Sequence, residues 1–170
     1  PLAIDFNDFK IETITSIVQK DSLLMGGRIN GNALLKNLKQ SPIFTADLTI
    51  ADFSFMTDTI GNINIKVNNE IANTYKANVE ITGNGNQVNL DGTYRTDNSS
   101  FDMDLDLKHL NIKSIQGFTA GNLSNSTGYL NGKLKATGTV KNPKILGEIK
   151  FNDGAFTIVP INSNFKLLND

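Results

Sequence analysis

The sequence predicts an all-β fold with one or two short helices, in which one antiparallel sheet curls over its own apolar face. Three observations lead there. Apolar and polar residues alternate with a period of two over much of the 170 residues, most regularly in FDMDLDL at 101–107. Such alternation places one face of a strand against a core and the other in water. Turn-forming clusters, Gly83-Asn84-Gly85-Asn86 and Asp97-Asn98-Ser99-Ser100 among them, separate the alternating stretches. The chain also resembles itself at an offset of 101 residues without a gap.

That internal match centres on Gly128–Phe156, GYLNGKLKATGTVKNPKILGEIKFNDGAF, and its earlier counterpart Gly27–Phe55. Both read as a glycine-pivoted strand, a Pro-marked turn, a returning strand and a step at Asp52 or Asp153 into a further strand. Gly27 aligns with Gly128, Asn30 with Asn131, Gly31 with Gly132, Pro42 with Pro143, Asp52 with Asp153 and Phe55 with Phe156. Eleven of the 69 aligned pairs are identical, and the apolar positions stay in phase. A long-period repeat points to an array in which each unit adds strands to its neighbour. The expected division is a first unit over 1–101 and a truncated second unit over 102–170, in one continuous domain cut from a longer protein.

In chain order, Leu2, Ile4 and Phe6 alternate, and Phe9 and Ile11 resume after a slip at Asn7-Asp8 that reads as a bulge. Near 13–20 the period changes, with Ile14, Ile17 and Val18 at helical spacing behind Thr13 as N-cap. So short a helix needs a sheet to lie on. Strands follow with Ile29, Gly31, Ala33 and Leu35; with Phe44, Ala46, Leu48 and Ile50, then Phe53 and Phe55; and with Ile63, Ile65 and Val67. Val79 and Ile81 lead into the Asn84-Gly85 turn, and Val88 and Leu90 return. Met103, Leu105 and Leu107 complete the next strand, and a second helix slot follows near 113–121, weakened by Gly117 and Gly121. Leu130, Leu134, Ile149, Phe151 and Phe156 continue the apolar pattern. Small residues recur on the apolar face, among them Gly31, Gly132 and Gly147, where a sheet can bend sharply.

Composition narrows the function. Net charge is −1 with the two signs interspersed, so no nucleic-acid groove or polybasic membrane patch is expected. There is no Cys, which excludes disulfides and thiolate chemistry, and no apolar run approaches the roughly 20 residues that span a bilayer. His109 reads as a surface residue at a bend, since the first unit has Asp8 there. Asp102, Asp104 and Asp106 share the wet face of a strand rather than a metal-binding loop. Three Asn-x-Ser/Thr triplets are expected from an Asn- and Ser-rich chain, and the lack of Trp argues against carbohydrate binding. No catalytic residue, metal or cofactor is expected, so the chain is not read as an enzyme.

The spacing of Gly128, Leu130, Gly132, Leu134, Gly138, Pro143, Gly147, Gly154 and Phe156 resembles the TamB family of bacterial envelope proteins, related to AsmA-like proteins in the repeating β-groove class. The first copy departs at Asn37, Ala46 and Phe53, where the second has glycine. The resemblance implies a U-shaped β-groove, or β-taco, apolar inside. It also implies a periplasmic location in a protein anchored in the inner membrane, a BamA-like outer-membrane partner of the TamA type, and a role in phospholipid transport or outer-membrane protein assembly. The groove candidates are then Ile29, Leu48, Ile50, Phe55, Ile63, Ile65, Val79, Ile81, Val88, Leu90, Met103, Leu105, Leu107, Leu130, Leu134, Ile149, Phe151 and Phe156, with phospholipid or other acyl chains as ligand. The competing expectation is a β scaffold with a filled core that acts through its strand edges, which would also let the chain pair edge to edge with a second copy.

Overall fold

The computed structural model describes residues 1–13, 25–37, 39, 42–56 and 58–167. Ten strands follow one another in sequence order in a single antiparallel sheet: β1 (Leu2–Lys10), β2 (Met25–Lys36), β3 (Ile43–Phe55), β4 (Asp58–Asn68), β5 (Thr74–Gly83), β6 (Asn86–Arg95), β7 (Ser100–Asn111), β8 (Leu123–Thr139), β9 (Asn142–Ile158) and β10 (Ser163–Lys166). β1 and β10 do not pair, so the sheet is not closed into a barrel. Most connections are short hairpins, because successive alternating stretches are separated by only a few turn residues. At Asn84-Gly85 both residues have positive φ, the geometry of the two-residue turn that matches sheet twist.

Between β7 and β8 lies α1 (Ile112–Gln116), followed by one 3₁₀ turn, Gly117–Thr119. This is shorter than the 113–121 helix expected from sequence. Only one α-helical turn forms before Gly117, and Ala120 then takes a left-handed conformation that ends the segment. The other predicted helix, near 13–20, lies almost wholly outside the described residues, and only residues 11–13 are seen to be helical.

Two further readings are corrected. Asp153-Gly154 does not step into a new strand: β9 runs through it to Ile158, and the register with β8 shifts there instead. Asp52 likewise sits in a register shift inside β3. Their φ angles, 50° at Asp153 and 52° at Asp52, place one extra residue in each strand without ending the ladder. His109 is not at a bend between strands but within β7, opposite Gln87.

Several backbone devices recur 101 residues apart. The register of β1 shifts between Phe6 and Phe9, and that of β7 between Leu107 and Leu110. Gly31 and Gly132 both have positive φ, 121° and 146°, and a Cβ at either would overlap the cross-strand carbonyl oxygen of Asp47 or Glu148. Asn37, where the second copy has Gly138, itself takes a positive φ of 55°, as Gly138 does at 105°. Asp8 and Arg28 form an ion pair at positions where His109 and Tyr129 stack at 3.9 Å.

The sheet wraps around the α1 segment. Phe118 stacks on Phe55 of β3 with ring centroids 4.3 Å apart, while Ile112 lies against Gly154 of β9. β3 and β9 are six strands apart, about 29 Å along a flat sheet. Curvature brings both to one short segment. The best-buried cluster lies here: Ile112 packs with Val88, Leu107 and Leu130, flanked by Ile81, Leu105, Leu110 and Ile115.

Candidate functional site

The pairing register decides which side chains share a face, because residues directly opposite in an antiparallel ladder point the same way. Three rows cross nine strands without one polar residue. The first runs Ile4, Ala33, Ala46, Val67, Ala77, Gly92, Met103, Ala136, Ile145. The second runs Phe6, Gly31, Leu48, Ile65, Val79, Leu90, Leu105, Leu134, Gly147, and the third Phe9, Ile29, Ile50, Ile63, Ile81, Val88, Leu107, Gly132, Ile149. A shorter fourth row joins Leu110, Leu130 and Phe151. At 4.7–4.9 Å per strand the long rows extend for about 38 Å.

Sixteen of the candidate residues therefore lie together on these rows. Phe55 and Phe156 do not: they stand beyond the register shifts, Phe55 against Phe118 and Phe156 against Phe165 at 5.8 Å. Ile4, Phe6 and Phe9 head the three rows although they are not among the candidates; the period-two pattern of β1 is the signal for them. Gly147 meets its neighbour as Gly31 and Gly132 do, since a Cβ there would overlap the carbonyl oxygen of Lys133.

The rows are not packed uniformly. Under α1 they are closed, with Leu107 only 4% exposed. Away from it they are half open: Leu48, Ile65, Val79, Leu90, Leu105 and Leu134 are partly buried, and the ends are open, with Ile4 45% and Ile145 66% exposed. Among the described residues no large side chain is completely buried. The apolar face is a trough that α1 closes over Val88, Leu107 and Leu130 and that is open at both ends of its rows.

The opposite face is a polar ladder. Asp47, Lys66, Asn78, Asp91, Asp104 and Lys135 stand in one row, with Lys66 to Asp47 at 3.7 Å and Asn78 donating to Asp91 at 2.8 Å. Lys135 bridges Asp102 at 2.8 Å and Asp104 at 3.0 Å, and these carboxylates, Asp102 foremost, raise its ammonium above the ordinary 10.5. The pairs are solvent-exposed and screened, so they add little to stability; the ladder keeps this face wet.

The helical segment is held by a buried amide that sequence reading missed. Asn86, 4% exposed, donates to the Ile60 carbonyl at 2.6 Å and to Ser114 Oγ at 2.8 Å, and accepts from the Asn111 backbone N–H at 2.8 Å. One side chain thus ties β4, β6, β7 and α1 together. It stands in a turn-like Gly-Asn-Gly-Asn run, which hides its burial. Gln116 adds a tie to β8 by accepting from the Ser126 backbone N–H at 3.0 Å.

An extended, one-sided apolar trough with a polar exterior can shelter long apolar chains from water by the hydrophobic effect. No helix among the described residues is long and apolar enough to cross a membrane. Neither a curated protein nor a solved structure matches the chain. The TamB C-terminal domain matches residues 77–167, from β5 through β10, which is more than half of the sequence. The chain belongs to the TamB family of cell-envelope proteins.

Proposed function

We propose that the trough is a non-enzymatic conduit for acyl chains of phospholipid, which lie along the three apolar rows and slide across the strands. The observation that carries this reading is the continuity of the rows: nine strands without a polar interruption, and partly unfilled away from α1. A chain moving along it meets no desolvated polar group and needs no catalytic residue. In the parent protein the trough would sit in the periplasm below an inner-membrane anchor, carry lipid toward the outer membrane or serve outer-membrane protein assembly, and meet a BamA-like partner of the TamA type. The chain is then one unit over 1–101 and part of another over 102–170. A scaffold with a filled core, acting through its strand edges, is the competing reading, favoured by the closed cluster of Val88, Leu107, Ile112 and Leu130 under α1.

The test is native mass spectrometry with lipid extraction on protein purified from cells. Co-purifying phospholipid is expected, and its loss is expected in Leu105→Asp and Ile149→Asp, which place a carboxylate in the rows. Folded variants that keep wild-type lipid, or a wild type that takes up no fluorescent phospholipid, would overturn the conduit.

A further inference from the structure

Beside α1 the molecule has a second concavity, polar where the trough is apolar. Its volume is about 430 Å³, its wall includes Asp58, Asn84, Asn111, Lys113, Ser114 and Ser126, and every side chain that lines it is polar. Cavities of this size hold small ligands. The wall is built from distant parts of the chain. Asn84 donates its amide to the Thr59 carbonyl, and Asn111 donates to the Asn84 carbonyl at 2.7 Å, which joins β4, the β5–β6 turn and the end of β7. Ser126 enters from β8.

Two groups in this wall are buried with nothing to bond. Asp58 is 8% exposed, and its carboxylate makes no hydrogen bond or ion pair among the described residues. It faces the helical segment, since a Cβ on Gly117 would lie 3.6 Å from its Oδ2. Ser126 is 4% exposed, and its Oγ has no partner among the described residues. A carboxylate and a hydroxyl held from water each carry a desolvation cost that a matching donor offsets. Lys113, on α1, is exposed and makes no ion pair among the described residues. One polar cavity thus offers both signs of charge, the negative one buried and the positive one in contact with solvent.

We propose that this cavity binds a zwitterion made of a primary ammonium and a phosphate, the chemistry of the phosphoethanolamine group. The ammonium donates to the Asp58 carboxylate and to Ser126 Oγ, and Lys113 meets the phosphate; both contacts are of the charge-assisted kind. An anion alone meets Asp58, and a quaternary ammonium has no N–H to give. A divalent metal ion is drawn to several oxygens about one point, usually with more than one carboxylate, and Asp58 is the one carboxylate of this wall. A phospholipid as bearer of the group rests on the conduit reading; the charge pair does not. Ile63 of the third apolar row is five positions along β4 from Asp58, about 17 Å at most. A headgroup held here therefore leaves its chains beside the trough.

The test is amide chemical-shift titration of the chain with water-soluble dihexanoyl phospholipids and, separately, with free O-phosphoethanolamine. The ethanolamine lipid is expected to shift Asp58, Ser114 and Ser126, and to bind at least about tenfold more tightly than the glycerol or choline lipid. Asp58→Asn is expected to abolish that preference. Ser126→Ala is expected to weaken ethanolamine binding without lowering the denaturation midpoint, because its hydroxyl has no bond to lose. Shifts with the free compound as well mean that the cavity holds the group from either source; shifts with the lipid alone mean that it takes the group only from a lipid, and both outcomes support the site. Amides around α1 that neither compound moves, equal affinity for the ethanolamine and glycerol lipids, or an Asp58→Asn chain that binds as wild type would overturn the proposal. Lipid shifts confined to the apolar rows would remove this site and leave the conduit. Shifts at Asp58 and Ser126 with the free compound, in a chain that takes up no lipid, would do the reverse.

Discussion

Truncating one side chain under α1 and one in the open trough separates an open trough from a filled core. Leu107 is 4% exposed and packs with Val88, Ile112 and Leu130; Ile4 heads an apolar row opposite Ala33 and is 45% exposed. Either change to Ala deletes three carbons, about 2.4 kcal/mol of transfer free energy when fully buried. Leu107→Ala should lose nearly all of that and leave a closed cavity, for a total of about 3–4 kcal/mol. Ile4→Ala loses only the buried half, about 1.3 kcal/mol, and leaves no closed void because the site already opens to water. Urea denaturation followed by far-ultraviolet circular dichroism at low protein concentration reads both, with an unchanged slope as the check that the unfolded states match. Equal costs for the two variants would mean that the rows are packed like an ordinary core, and the trough reading would fail.

Gly132→Ala should destabilise by about 2 kcal/mol or more, because a φ of 146° and the Glu148 carbonyl both exclude a Cβ, and Gly31→Ala should behave alike; denaturation midpoints check the pair. Asn86→Ala should cost about 2–4 kcal/mol by orphaning the Ile60 carbonyl, the Asn111 N–H and Ser114 Oγ, with hydrogen-exchange protection lost first around α1; unchanged protection there would refute the tie. Asp102 and Asp104 raise the Lys135 ammonium, so its contribution is fully present below 10.5 and is lost as pH rises through the raised value. The stability difference between wild type and Lys135→Met should therefore stay level from neutral to about pH 9 and shrink only at higher pH; a difference that already shrinks between pH 7 and about 9 would contradict the assignment.

Local chemistry was legible wherever it reported on a single strand. Alternation in FDMDLDL placed Met103, Leu105 and Leu107 on one face, and the slip at Asn7-Asp8 marked the register shift seen between Phe6 and Phe9. Glycine at 31 and 132 signalled close backbone approach because no other residue fits there. Side-chain direction has a period of two, so a strand's two faces can be read from its own residues.

What needed the third dimension was everything set by residues far apart in the chain. Asn86 looked like part of a turn, yet it is buried because β4, β7 and α1 converge on it from 25 to 28 positions away. Phe55 and Phe156 stand five residues beyond Ile50 and Phe151, out of the period-two phase, because each strand carries an extra residue at Asp52 or Asp153, and they meet Phe118 and Phe165 rather than a row. His109 reads as an isolated surface residue until β8 brings Tyr129 against its ring. The sequence by itself determined which face of each strand is apolar, because that is a property of neighbours in the chain. Which rows those faces join and where α1 closes them came from the folded sheet, because both depend on pairing register and curvature summed over ten strands.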